Sequence, residues 1–238
     1  NNLTLLLMGN YKQKEMIQER MKMSGGGRFD VNSQGFGDLV FGSLLNIKNE
    51  KDIKIHFGSG ISFPTGSIDQ RDVTPASSDA RLGYGMQNGS GTFDPYFLLN
   101  AITQIYKVKL GSQLSYKVRL GDSNDNGYKY GKLFQSELWF SYNFLNNLSS
   151  SFKVTYKNLG KMVGKDNEMN PRMSPAMDSG NNGYQKILLG IGINFINNKK
   201  LLKGNRLGFE LIKPVFQKFN RIQMIEDYKL VLGWQYAF

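Results

Sequence analysis

The last ten residues, 229–238 (KLVLGWQYAF), constrain the fold more than any other stretch. Leu230, Leu232, Trp234, Tyr236 and Phe238 alternate with Lys229, Val231, Gly233, Gln235 and Ala237. A period of two places the large apolar groups on one face of a β-strand. In water, such a strand with an open edge invites aggregation. In a closed membrane barrel the edge is paired and the apolar face meets hydrocarbon. The competing reading is the closing strand of a soluble β-sandwich.

The other constraints narrow this choice. The 238 residues suit one all-β domain. Mean hydropathy is −0.40, and no apolar run reaches the ~18 residues of a transmembrane helix. A barrel tolerates that value because only alternate residues face lipid. Cysteine is absent, which excludes disulfides and thiolate metal sites. The sequence carries no secretory signal and reads as mature or trimmed. The net charge of +11 comes from Lys and Arg spread along the chain, so a nucleic-acid partner is not expected. Anionic lipid head groups or an anion-attracting bore account for it.

Alternation predicts ten strands, at 3–12, 35–48, 53–63, 92–106, 108–120, 132–145, 148–158, 184–196, 206–216 and 222–238. The segment 13–34 reads as a strand extension plus a long loop. With Phe238 at the periplasmic end, the long connections 13–34, 64–91, 121–131 and 159–183 all fall outside the cell. The short ones (49–52, 107, 146–147, 197–205) fall in the periplasm, and 217–221 is the short exception outside. Loop sorting of this kind is expected of an outer-membrane barrel and not of a sandwich.

The ending resembles the C-terminal signal by which bacterial outer-membrane barrels are assembled, carried by Gly233, Trp234, Tyr236 and Phe238. Three further stretches, FDVNSQGFGDL (29–39), GSGISFPTGSID (58–69) and RLGYGMQNGSGTFDP (81–95), resemble the outer-membrane family of phenol meta-degradation transporters. The resemblance implies a closed antiparallel barrel in the outer membrane of a Gram-negative bacterium, passing hydrophobic or aromatic compounds. It also implies one or two further strands upstream, and even strand numbers allow either ten or twelve in the intact barrel. Outer-membrane lipids, lipopolysaccharide and the barrel-assembly machinery become the expected partners, with protein partners at the outer loops.

On these phases the face away from lipid carries Lys54, His56, Lys109, Lys117, Arg119, Glu137, Lys153, Lys186 and Glu210 as candidate lumen residues for transport. Lys12, Lys157, Arg206, Lys229 and Asp38 share that face, and bases outnumber acids. A positive interior favours anions, unless the groups pair across strands and plug a narrow bore. Inward glycines (Gly58, Gly60, Gly111, Gly190, Gly192) read as relief of crowding. His56, the single histidine, lacks the partners of a metal site or triad, and no cofactor or enzymatic activity is expected. The 122–127 segment DSNDNG matches half a calcium loop but lacks the Glu at its twelfth position, so a turn is favoured. Met169, Met173 and Met177 read as apolar filler. Asp69, Asp72 and Asp79 read as solvated turn residues. The function expected is a channel for small hydrophobic, aromatic or anionic solutes; the alternative is a plugged structural or docking barrel.

Overall fold

The computed structural model describes residues 2–20, 25–50, 52–196 and 204–236. In chain order the strands are β1 (Leu3–Met8), β2 (Tyr11–Glu19), β3 (Arg28–Phe36), β4 (Leu39–Asn49) and β5 (Ile53–Phe63). Next come β6 (Arg71–Thr74), β7 (Ser77–Arg81), β8 (Asp94–Ile105), β9 (Val108–Lys117) and β10 (Tyr128–Lys129). The chain ends with β11 (Leu133–Leu145), β12 (Leu148–Leu159), β13 (Val163–Gly164), β14 (Tyr184–Ile196), β15 (Asn205–Phe219) and β16 (Lys229–Tyr236). Ten of them form one antiparallel sheet in the order β1-β4-β5-β8-β9-β11-β12-β14-β15-β16. All ten expected strands are therefore present, each beside its neighbour in the chain. The remaining six pair as β2–β3, β6–β7 and β10–β13 within the long connections.

Burial is inverted relative to a water-soluble fold. Among the described residues, forty-six large hydrophobic side chains are exposed and nine are buried. On β14, Ile191 and Ile193 are 58% and 56% exposed, while Lys186, Leu188, Gly190 and Gly192 on the other face are buried. On β16, Leu230, Leu232, Trp234 and Tyr236 point outward as the alternation predicts. Phe238, the last member of that pattern, lies outside the described residues.

Four expectations change. The polar 13–34 segment, expected as a strand extension plus a long loop, carries two strands: β2 and β3 form a nine-pair hairpin above β1 and β4. Alternating Lys, Gln and Glu conceal the strand from a hydropathy reading. The last strand starts at Lys229, not residue 222, although Ile222 and Met224 mimic its period. The connection before it therefore covers 220–228 rather than 217–221. Finally, no ladder joins β1 to β16 among the described residues, so the sheet has two open edges there.

Glycines on the concave face let large side chains lie flat. A Cβ on Gly60 would come within 2.6 Å of the Phe41 carbonyl oxygen and of the Tyr96 ring. A Cβ on Gly111 would overlap the Trp139 indole.

The outward face needs a non-aqueous cover. Ile191→Arg should lower the unfolding free energy in lipid vesicles by about 2–4 kcal/mol, whereas Asn194→Arg on the opposite face should change it by less than ~1 kcal/mol. Urea titrations followed by tryptophan fluorescence check this, and equal losses would contradict the assigned faces.

Candidate functional site: a basic cavity under a packed cap

The concave face encloses a cavity of about 1300 Å³ lined by residues of β5, β8, β9, β11, β12, β14, β15 and β16. It lies toward the short-turn end, where Asp52, Tyr106 and Ile196 border it. Of the residues singled out from sequence, Lys54, Lys109, Glu137, Lys153, Arg206 and Glu210 line it, with Gly192, Gly233 and Trp234 on its wall. Trp139 is a large aromatic on this face that alternation reasoning missed, since an inward indole breaks the polar-inside pattern. The sequence signal was Gly111, its partner on β9.

The charges are partly matched. Lys153 reaches across β14 to Glu210 at 2.8 Å. Gly190 and Gly192 leave room for this, because a Cβ on Gly190 would meet the Glu210 carboxylate at 2.8 Å. Lys186 does not border the cavity; it pairs with Glu226 at 2.9 Å and sits over the Tyr184 ring at 4.6 Å. Arg119 lies past the end of β9 and pairs with the fully buried Asp94. His56 stands opposite Asn46 and Asn100 on the neighbouring strands, on the same face as Lys54, and does not border the cavity. Lys117 likewise lies above the cavity, at the outer end of β9. Glu137 accepts hydrogen bonds from Gln135 (2.8 Å) and Thr155 (3.4 Å) rather than a cation.

Above the cavity the long connections form a cap that contains most of the buried apolar groups. The segment 81–94, expected as part of a solvated loop, is almost continuously buried, with Leu82 and Tyr84 each 1% exposed. Tyr84 packs with Tyr128, Met162 and Met169, flanked by Tyr130 and Met177, and these residues come from three different connections. Two of the three spaced methionines are thus filler, while Met173 is exposed. Leu82 and Met86 pack with Val31 of β3. The ammonium groups of Lys12 and Lys14 donate to the carbonyls of Asn88 (2.7 Å) and Gln87 (2.6 Å). Arg81 is buried and pairs with Asp166 (2.9 Å), Glu168 (2.8 Å) and Asp69 (3.2 Å). Asp69 is therefore an ion-pair partner, as is Asp79 through Arg71, and Asp72 accepts the Asn32 N–H. Asn124 closes its own turn by accepting from Asn126 and Tyr128, and it donates to Ser90.

One residue joins the three sequence stretches noted at 29–39, 58–69 and 81–95. The Asp38 carboxylate accepts the Gly66 N–H at 3.1 Å and the Ser90 N–H at 2.9 Å. Ser67 accepts from the N–H groups of Asn88 and Gly89. Gly66 and Gly89 touch backbone to backbone, which only glycines allow. The cap also reaches the last connection, where Asn220 donates to Gly180 and Gln223 to Gly183.

These features define an all-β protein built as an antiparallel meander with an apolar exterior, a polar hollow and a loop cap. The chain shares its fold with an outer membrane channel from Pseudomonas putida F1 of known crystal structure. The likeness has a TM-score of 0.63 and 10% identity, covering 98% of this chain and 81% of that one. The family model described as "Putative MetA-pathway of phenol degradation" matches residues 15–211, and the chain belongs to that family. No curated protein matches it.

Burial raises the tyrosines of the cap: Tyr128 to about 12, and Tyr84 and Tyr130 in the same direction. An unfolded tyrosine ionises near ~10. Between about pH 10 and 12 the unfolded cap releases protons that the folded cap retains, so cap stability falls across that window. Absorbance at 295 nm should show tyrosines titrating late, and loop protease resistance should be lost over the same range. A separate check is Asp166→Asn, which takes one of three carboxylates from the buried Arg81 guanidinium and should destabilise the cap by about 2 kcal/mol. Faster proteolysis within 160–183 at neutral pH is the expected readout.

Proposed function

We propose that the chain is the wall and cap of an outer-membrane channel for small hydrophobic, aromatic or anionic solutes in a Gram-negative bacterium. The observation that carries this reading is the inside-out burial: apolar groups outward, and a hollow of about 1300 Å³ edged by Lys54, Lys109, Lys153 and Arg206. Hydrocarbon suits the first, and a solute path suits the second. The fold relative is a channel, and the family description points to phenol degradation, which favours aromatic solutes.

In this reading the sheet closes in the membrane. Open ladders of β1 and β16 in hydrocarbon would cost several kcal/mol for each unmet backbone group. With ten alternating strands, β1 and β16 run antiparallel, as a closing ladder requires. The cap supports closure, because its contacts run from Lys12 and Lys14 beside β1 to Asn220 and Gln223 before β16. Lipopolysaccharide and lipid surround the outward belt, and the ending through Gly233, Trp234, Tyr236 and Phe238 serves the assembly machinery.

The second reading, a plugged structural or docking barrel, draws on the cap itself, whose buried 81–94 segment is tied down from several sides. Planar-bilayer recording separates the two. A channel gives solute-dependent current that rises several-fold when Asp38→Asn deprives one of the Gly66 and Ser90 N–H groups of its acceptor. Its anion preference should fall with Lys109→Glu. Silence at every voltage in wild type and in Asp38→Asn favours the plugged barrel. A folded, closed barrel should also migrate differently in detergent gels before and after boiling, and unchanged migration counts against closure.

A further inference from the structure

Beyond the cavity's inner end, marked by Lys153, Glu137 and Glu210, the same face holds a charge pattern that its own residues leave unbalanced. Lys157 on β12 stands directly opposite Lys186 on β14. Side chains so placed have Cβ atoms ~4.5–5.5 Å apart, and like charges there repel. Lys186 has taken the Glu226 carboxylate, and Lys153, four residues before Lys157 on the same face, has taken Glu210. Glu137 receives neutral donors from Gln135 and Thr155. Register sets Lys229 level with Lys153 on the same face, through Ile212 of β15 and Gly190 of β14, and the charges acting on Lys157 are Lys229, Glu226, Glu137 and Lys153. Among the described residues no carboxylate comes within 4.0 Å of Lys157 or Lys229. Lys229 begins the β16 face whose later members, Val231, Gly233 and Gln235, line the cavity. Four ammonium groups, those of Lys153, Lys157, Lys186 and Lys229, thus share three carboxylates, those of Glu137, Glu210 and Glu226.

We propose that this cluster is a binding site for one carboxylate group of a solute, held between Lys157 and Lys229 just beyond the inner end of the cavity. Two observations point there together: a facing pair of lysines with one carboxylate between them, and a cavity that ends at Lys153, Glu137 and Glu210 and so delivers a solute to that point. A monoanion supplies the missing charge. The two acceptor oxygens of a carboxylate match two separate ammonium donors. The site deepens the channel reading and rests on it for access, since the solute enters through the same hollow.

The test uses the full chain refolded in detergent and reads the thermal midpoint by circular dichroism, which needs no ion flow. Sodium acetate is titrated against sodium chloride and sodium phosphate at matched ionic strength. Wild type should show a saturable rise with acetate that neither chloride nor phosphate matches. Lys157→Gln should need about tenfold more acetate, the loss expected for one charge-assisted contact. Without acetate at low salt, the midpoint of Lys157→Gln should equal or exceed that of wild type, because a like-charge repulsion has gone. Lys161→Gln, exposed in the connection after β12 and away from the cavity, should respond as wild type does. Equal shifts from chloride or phosphate overturn the carboxylate assignment. So does a Lys157→Gln response identical to wild type, or a Lys157→Gln protein less stable than wild type without acetate. A chain that conducts but shows no acetate shift keeps the channel and loses this site. A silent chain that shows the shift keeps the site and loses the channel.

Discussion

The backbone ladder is the interaction on which everything else rests. Nine antiparallel pairings join the ten strands, so backbone groups between neighbours are matched without water. Only that arrangement lets Phe97, Leu114, Phe140, Ile191 and Leu232 stand on a surface of the molecule without exposing unmet N–H and C=O groups beside them. The same ladder turns every second residue toward the hollow. One set of hydrogen bonds therefore produces both an oily outside and a polar inside. The exception is the outer edges of β1 and β16, which have no ladder partner among the described residues.

The second determinant is where the dense packing sits. A soluble domain is densest between its sheets, but here most of the fully buried apolar side chains lie in the connections. Tyr84, Tyr128, Met162 and Met169 meet over the mouth although they are far apart in the chain. Asp38, Arg81 and the Gly66–Gly89 contact bind these connections through charge-assisted bonds and close backbone approach. The stretches that carry the family resemblance are the ones that build this cap. The shared signature thus reports a structural device at the mouth rather than a reactive group. The basic hollow beneath is formed instead by scattered strand residues, each set by register.

Much of the fold was legible because alternation with one apolar face is a strong and local signal. Residues 184–196 are a case in point: Ile187, Leu189, Ile191, Ile193 and Phe195 alternate without a break, and β14 has those same bounds. The β2–β3 hairpin was hidden because Lys12, Lys14, Gln13 and Glu15 are polar on both faces, so no periodicity marks it. Residues 222–228 misled in the other direction. Ile222, Met224 and Tyr228 have the spacing of a strand, yet Gln223 and Glu226 are held by side-chain contacts to Gly183, Lys186 and Gln217.

By itself, then, the sequence determined which residues face outward, how many strands the main sheet has and which end carries the long connections. These follow from side-chain chemistry repeated at a two-residue period, which needs no partner to be read. Only the tertiary structure decided that Lys153 meets Glu210, that Trp139 lies over Gly111, that Lys157 opposes Lys186, and that 81–94 is buried under neighbouring connections. Those facts depend on register and on contacts between segments distant in the chain, and no local pattern of residues encodes either.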